Sequence, residues 1–149
     1  MAEALRVVAR FSDGTTLKGT TQDFKPASPR FHVIPANGGA PIEVRLDALK
    51  AVFFVRNLEG DAGRGKLKGF VEAAAETPQG KKIAVRFKDD ELLCGYTLTY
   101  SPDREGFFLF PADVASNNLR VYVVAAAAAE IKAGPAAEQL AARALGSSR

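Results

Sequence analysis

The 149-residue chain lacks the usual equipment of catalysis. It has one cysteine, Cys94, and one histidine, His32. A lone thiol permits no internal disulfide, which fits a reducing compartment. Cys94 falls mid-strand by pattern and His32 lies in a distant stretch, so no cysteine–histidine nucleophile pair is expected. Cys94 reads as a buried, inert thiol. No Cys/His spacing suits a metal, no glycine-rich loop sits between a strand and a helix, and no triad is visible. No enzyme activity, metal or cofactor is therefore expected. The acidic residues are scattered, and Asp89-Asp90-Glu91 reads as a solubilising turn. No apolar run reaches the roughly 18 to 20 residues needed to span a bilayer. The start, MAEALRVVARF, lacks a basic segment followed by an uninterrupted apolar one, so no secretory leader is expected. These absences lead to the expectation of a cytoplasmic protein with no membrane partner. The net charge of +3 permits an anionic partner without demanding one.

What is present is a repeat. Residues Val8 to Ala36 match Ala84 to Ala112 at a constant offset of 76, without a gap. Ten of these 29 positions are identical: Arg10/Arg86, Phe11/Phe87, Asp13/Asp89, Leu17/Leu93, Gly19/Gly95, Thr21/Thr97, Pro26/Pro102, Phe31/Phe107, Pro35/Pro111 and Ala36/Ala112. A match this long implies one structural unit built twice. Each unit has about 55 to 60 residues, near the lower limit at which a core holds without metal or disulfide. The two units are therefore expected to pack together.

Period-2 alternation dominates both copies. Leu5, Val7, Ala9 and Phe11 share one face, and Ile83, Val85 and Phe87 repeat the pattern. Asp13-Gly14 suits a type I′ hairpin, while Asp89-Asp90 predicts a looser turn. Second strands are expected over Thr16 to Thr21 and Leu92 to Leu98, with Gly19 and Gly95 marking a bend or a close backbone approach. Third strands follow at Phe31 to Ile34 and Phe107 to Phe110, and fourth strands at Ile42 to Leu46 and Leu119 to Val124. A fifth strand is strong at Ala51 to Arg56. Its counterpart near Ala129 to Lys132 is weak and preceded by a helical turn over the five alanines Ala125 to Ala129. A glycine-containing linker spans residues 60–80, with a short helix expected over Phe70 to Glu76. Gly134-Pro135 opens a C-terminal helix to Leu145, whose leucines give only a thin apolar stripe, so a peripheral appendage is expected.

The order V-x-R-F-x-D-G-x-x-L-x-G resembles the first motif of Sm-like proteins, and IEVRLDALKAVFFV resembles the second. The whole pattern, including F-x-P-A and KAVFFVRNLEGD, is similar to an uncharacterised bacterial small-barrel family associated with PilZ-type signalling proteins. The resemblance implies an all-β fold of two tandem Sm/SH3-like five-stranded barrels. With a linker helix and a C-terminal helix, the units are residues 1–59, 60–80, 81–133 and 134–149. The RNA pocket of Sm-like proteins is not recognisable, since the loop reads Phe24-Lys25-Pro26-Ala27-Ser28-Pro29 without asparagine.

Comparing the copies nominates two surfaces. The first copy carries Lys18, His32 and Arg45 where the second carries Cys94, Phe108 and Tyr122, and these three with Arg30 are the candidate ligand or partner site. Tyr96, Phe108, Phe110 and Tyr122 form an apolar face that must be covered by another part of the chain or by a second copy. Arg10/Asp13 and Arg86/Asp89 read as strand-end pairs that support turns. The basic linker stretch Arg64 to Lys68 reads as solvated chain. The favoured function is a non-catalytic regulatory or adaptor module acting through protein contacts or self-association. The alternatives are a nucleic-acid binder using the basic face and a cyclic di-nucleotide-responsive PilZ-like regulator. The last is suggested by Arg6-Val-Val-Ala-Arg10, which matches R-x-x-x-R.

Overall fold

A computed structural model describes residues 4–58, 76–77, 80–112 and 117–146. The predicted linker helix and the Arg64 to Lys68 cluster lie outside these residues, apart from Glu76. Eleven strands and one helix result. The first half holds β1 (Leu5–Phe11), β2 (Thr16–Thr21), β3 (Arg30–Pro35), β4 (Ile42–Arg45) and β5 (Leu49–Val55). A two-residue strand, β6 (Glu76–Thr77), precedes the second half. That half holds β7 (Gly80–Phe87), β8 (Leu92–Thr97), β9 (Gly106–Pro111), β10 (Asn118–Val124) and β11 (Ala128–Ala133), followed by α1 (Pro135–Gly146).

All pairings are antiparallel, and they form one continuous ladder in the order β11-β7-β8-β9-β10-β5-β1-β2-β3-β4, with β6 beside β7. The ladder is open and is not a closed barrel. The expected pair of closed tandem barrels is not what the pairing shows, because β5 extends the ladder to β10 and is not bonded to β4.

The repeat is nevertheless reproduced register for register. Val7 faces Gly19 as Ile83 faces Gly95, and Phe31 faces Val44 as Phe107 faces Val123. The second of these correspondences raises the offset from 76 to 79 beyond β3, because β10 begins three residues earlier, relative to the shared register, than β4 does. The same offset holds for the fifth strands, since Ala9 faces Val52 and Val85 faces Ile131. Both copies also bulge at the same place, opposite the end of the first strand. A short 3-10 turn links the fourth and fifth strands in each half, at Leu46–Ala48 and Ala125–Ala127. The alanine run therefore makes the expected turn, and the weak fifth strand does form.

Two expectations about local structure change. The Asp89-Asp90 turn is not looser than its counterpart: Asp90 adopts φ +70° where Gly14 has φ +94°. Both turns need the left-handed region, and aspartate tolerates it better than most residues. The helix α1 is docked, not peripheral. Ala137, Leu140 and Ala141 are buried against Ala84, Cys94 and Leu92 on the outer face of β7 and β8. The small alanines at this spacing let the helix sit close to the sheet, and Glu138 reaches the buried Lys82 at 3.1 Å.

Two cores result. One contains Val7, Ala9, Phe31, Val33, Val44, Leu49, Val52 and Phe54 from the first half, together with Tyr122 and Val124 of β10. The other contains Ile83, Val85, Phe87, Phe107, Leu109, Val121 and Val123 from the second half, together with Ala51, Phe53 and Val55 of β5. The paired strands β5 and β10 thus send alternate residues into both cores, and every residue of β5 is buried.

The paired glycines mark close approach. A Cβ on Gly19 would overlap the carbonyl oxygen of Ile34, and one on Gly95 would overlap that of Phe110. Gly95→Ala is therefore expected to lower unfolding free energy by at least about 2 kcal/mol, since the backbone of β9 must shift. Chemical denaturation would measure it, and a wild-type midpoint would contradict the overlap.

Candidate functional site at the seam

The seam between the halves is built from aromatic packing. Phe24 from the β2–β3 loop packs edge-on against Phe31, Phe54 and Tyr122, with centroids at 5.1, 5.3 and 5.4 Å. Phe108 joins from β9, 5.2 Å from Tyr122. The Arg120 guanidinium lies 4.6 Å over Phe54 and 4.8 Å over Phe108. Edge-to-face geometry and a cation over the rings both add to the area they bury.

Lys50 closes the seam elsewhere. It sits in the apolar run of β5, only 6 % exposed. Its Nζ donates to Asp89 at 2.7 Å and to Glu91, and lies 4.7 Å over the Phe87 ring. A buried ammonium needs such partners. The Asp89-Asp90-Glu91 turn is thus more than a solubilising turn, because two of its acids hold a lysine of the other half. The Lys50 hydrogen bond holds the Asp89 carboxyl below the usual carboxylate range. Partial burial opposes this, and the backbone N–H of Glu91 adds to it.

Between the halves lies a groove of about 590 Å³. One wall is the loop Pro26 to Arg30 with Arg45, Leu46 and Asp47, and the other is Arg104, Glu105, Ala125 and Ala126. Tyr122 and Val124 also line it. The walls are equivalent pieces of the two copies: Leu46 donates to the carbonyl of Pro29 at 3.0 Å, and Ala125 donates to that of Glu105 at 2.9 Å. Gly106 makes room for the Tyr122 ring, because a Cβ there would overlap the tyrosine hydroxyl.

Two polar groups in the groove stand out. Tyr122 is 5 % exposed, and its hydroxyl makes no hydrogen bond to a described residue. Burial, together with the nearby Glu105 charge, raises its pKa, and Arg104 opposes this in part. The Arg104 guanidinium makes no ion pair with a described residue. The other two arginines are already matched. Arg30 meets Glu43 at 3.1 Å, and Arg45 meets Asp47 at 2.9 Å.

The residues nominated from sequence are therefore distributed. Arg30 and Arg45 face each other across β3 and β4 and reach the groove. His32 lies two residues along β3, where its Nδ1 is 2.7 Å from Asp23 and its backbone N–H donates to the same carboxylate. Burial disfavours the Asp23 charge, but these His32 bonds outweigh it and keep its pKa low. Lys18 is exposed near the far end of β3, its carbonyl accepting from Ala36. These four do not form one cationic surface, since Arg30, His32 and Arg45 each have an acid of their own. Of the apolar set, Phe108 and Tyr122 pack into the seam. Tyr96 is buried on β8 opposite Phe110, which is half-buried. Arg104 and Lys50 were not nominated. Arg104 is one of several loop arginines in the sequence, and only the fold shows that it lines the groove, between Asp103 and Glu105, without a salt bridge to a described residue.

Among the described residues no His, Cys, Asp and Glu group is arranged to hold a metal, and no helix is long and apolar enough to cross a membrane. A family model described as a family of unknown function (DUF6982) matches residues 3–133. No curated protein and no solved structure matches the chain.

Two predictions follow from the seam geometry. Phe108→Ala is expected to destabilise the fold by about 3 kcal/mol, because it empties an aromatic site shared by the halves. An unchanged melting curve would argue against that packing. The second concerns acid. The Asp89 pKa is depressed in the folded state, so its contribution is complete above the unfolded value near 3.9 and is lost as pH falls through the folded value. Lys50→Met removes the cause of that depression. Its stability is expected to be lower at neutral pH and to fall less steeply below about pH 4. Parallel acid slopes for the two proteins would show that Lys50 is not the cause.

Proposed function

We propose that this chain, which belongs to the family of unknown function matched above, is a non-catalytic regulatory or adaptor module working through protein contacts. The seam groove is its contact site. Each half is read as an Sm/SH3-like small-barrel unit, supported by five short antiparallel strands in a shared register with a shared glycine approach. A cytoplasmic setting goes with this reading.

The observation that carries the proposal is a tyrosine hydroxyl with no hydrogen bond to a described residue and a guanidinium in no salt bridge to one, both lining one groove with apolar walls. Tyr122 offers a donor and Arg104 a charged fork, which suit a carboxylate. Leu46, Val124 and the prolines of the loop suit an apolar side chain beside it. A short partner segment with an acidic residue next to an apolar one meets both demands. Nucleic-acid binding is less well supported, because three of the four nominated basic residues are matched by acids and a phosphate backbone needs unmatched ones.

Peptides selected from a random display library against the whole chain test this. Enriched peptides are expected to carry an acidic and an apolar residue. Binding is expected to weaken tenfold or more in Arg104→Glu and several-fold in Tyr122→Phe, with both variants folded. Enriched peptides indifferent to Arg104→Glu would refute the groove as the contact site. Binding of single-stranded RNA that weakens steeply with salt would favour the nucleic-acid reading.

A further inference from the structure

The seam is head-to-tail. The fourth strand of the second half, β10, pairs with the fifth strand of the first half, β5. This joint uses two different edges, so it has no built-in stopping point. Repeating it between two chains would pair β4 of one copy with β11 of the next. Among the described residues these are the two strands at the ends of the ladder.

We infer that both outer edges are blocked against a second copy, by charges at the positions that make the internal seam and, at β11, also by α1 on the same face, so that the ladder does not continue through a second copy. The shared register allows the comparison position by position. Glu43 and Arg45 stand on β4 where Tyr122 and Val124 stand on β10. Glu130 and Lys132 stand on β11 where Ala51 and Phe53 stand on β5. The four seam residues are buried. Of their counterparts, Glu43, Arg45 and Lys132 are exposed. Glu130 is held by Arg86 of β7 at 3.1 Å and by Arg143 of α1 at 3.2 Å. A repeated joint would push Glu43 of one copy, and Glu130 and Lys132 of the other, each into the core of its neighbour.

The other seam devices are missing at the ends as well. The lysine lock has no second instance: Ala129 stands in the position of Lys50 and Thr15 in that of Glu91. Asp13, the counterpart of Asp89, is satisfied within its own turn by Thr15 at 2.7 Å. His32 replaces the seam aromatic Phe108. Pro41, just before β4, stands in the position of Arg120 and has no N–H to offer a neighbouring strand. Inward-aimed charges and proline are the known means of guarding a sheet edge. Here they replace apolar residues one for one. The inference is independent of what the groove binds.

Light scattering after size exclusion on the full chain tests it. The wild type is expected to run as one chain of 15.9 kDa at every concentration. Two half-variants carry the seam residues at one edge each: Glu43→Tyr with Arg45→Val, and Glu130→Ala with Lys132→Phe. Each alone is expected to stay monomeric, and their equimolar mixture to double in mass when Leu140→Asp in the second variant also releases α1 from β7 and β8. All four substitutions with Leu140→Asp in one chain are expected to give larger assemblies. The mixture decides the matter if that combined variant does not fold. Two folded half-variants that fail to associate with α1 released overturn the inference. So does a wild-type assembly in which Glu43→Cys and Ile131→Cys form a disulfide between copies, because the seam register sets those positions opposite each other.

Discussion

The structure depends on the pairing of β5 with β10. A strand in an ordinary two-layered protein buries one face and wets the other. These two strands bury both, with Val52 and Phe54 of β5 entering one core and Ala51, Phe53 and Val55 the other. Neither half is complete without the strand it borrows. Separation would expose the outer face of β5 and remove Tyr122 and Val124 from the first core. Units of this size bury little surface to spare, so sharing two strands is what makes each core sufficient.

That constraint explains how much was legible. Period-2 alternation located the strands, because most have one wet face. It fails where both faces are dry, and AVFFV reads as a strong strand without showing that two cores claim it. The repeat gave the register of the first three strands in each copy, but three extra residues at the start of β10 broke the gapless match. Read without that insertion, Tyr122 aligns with Leu46. The ladder aligns it with Glu43. The closed barrels expected from the family resemblance did not appear, because each fifth-strand edge is a place to extend the ladder, and in the first half another strand took it.

The side-chain chemistry of the site was less legible than the strands. A lysine in an apolar run signals a buried cation, but its carboxylates lie 39 and 41 residues away. No local pattern marks them, and a turn with three acids looks the same whether or not two of them hold a partner. The basic residues of β3 and β4 were correctly nominated as residues that differ between the copies. Charge counted along a strand does not reveal that Arg30 is neutralised by Glu43 across it. The α1 docking face was missed because its stripe is mostly alanine, which contributes little to an apolar pattern but fits closely against a sheet.

Seam and groove are also linked energetically. The Tyr122 ring belongs to the aromatic packing that joins the halves, while its hydroxyl belongs to the groove. The groove walls come one from each half, so its geometry exists only while β5 and β10 are paired. A ligand held there binds the joined state and not the opened one. It therefore stabilises the seam by the linkage term RT ln(1 + [L]/Kd), about 2.7 kcal/mol at a hundredfold excess over Kd. Anything that loosens the seam, such as loss of the Lys50 lock, must weaken the ligand in turn. In a repeat with identical halves every edge would carry the same code, and the groove would recur at each joint. Divergence of the copies gives the described ladder one such joint, and with it one groove of this make.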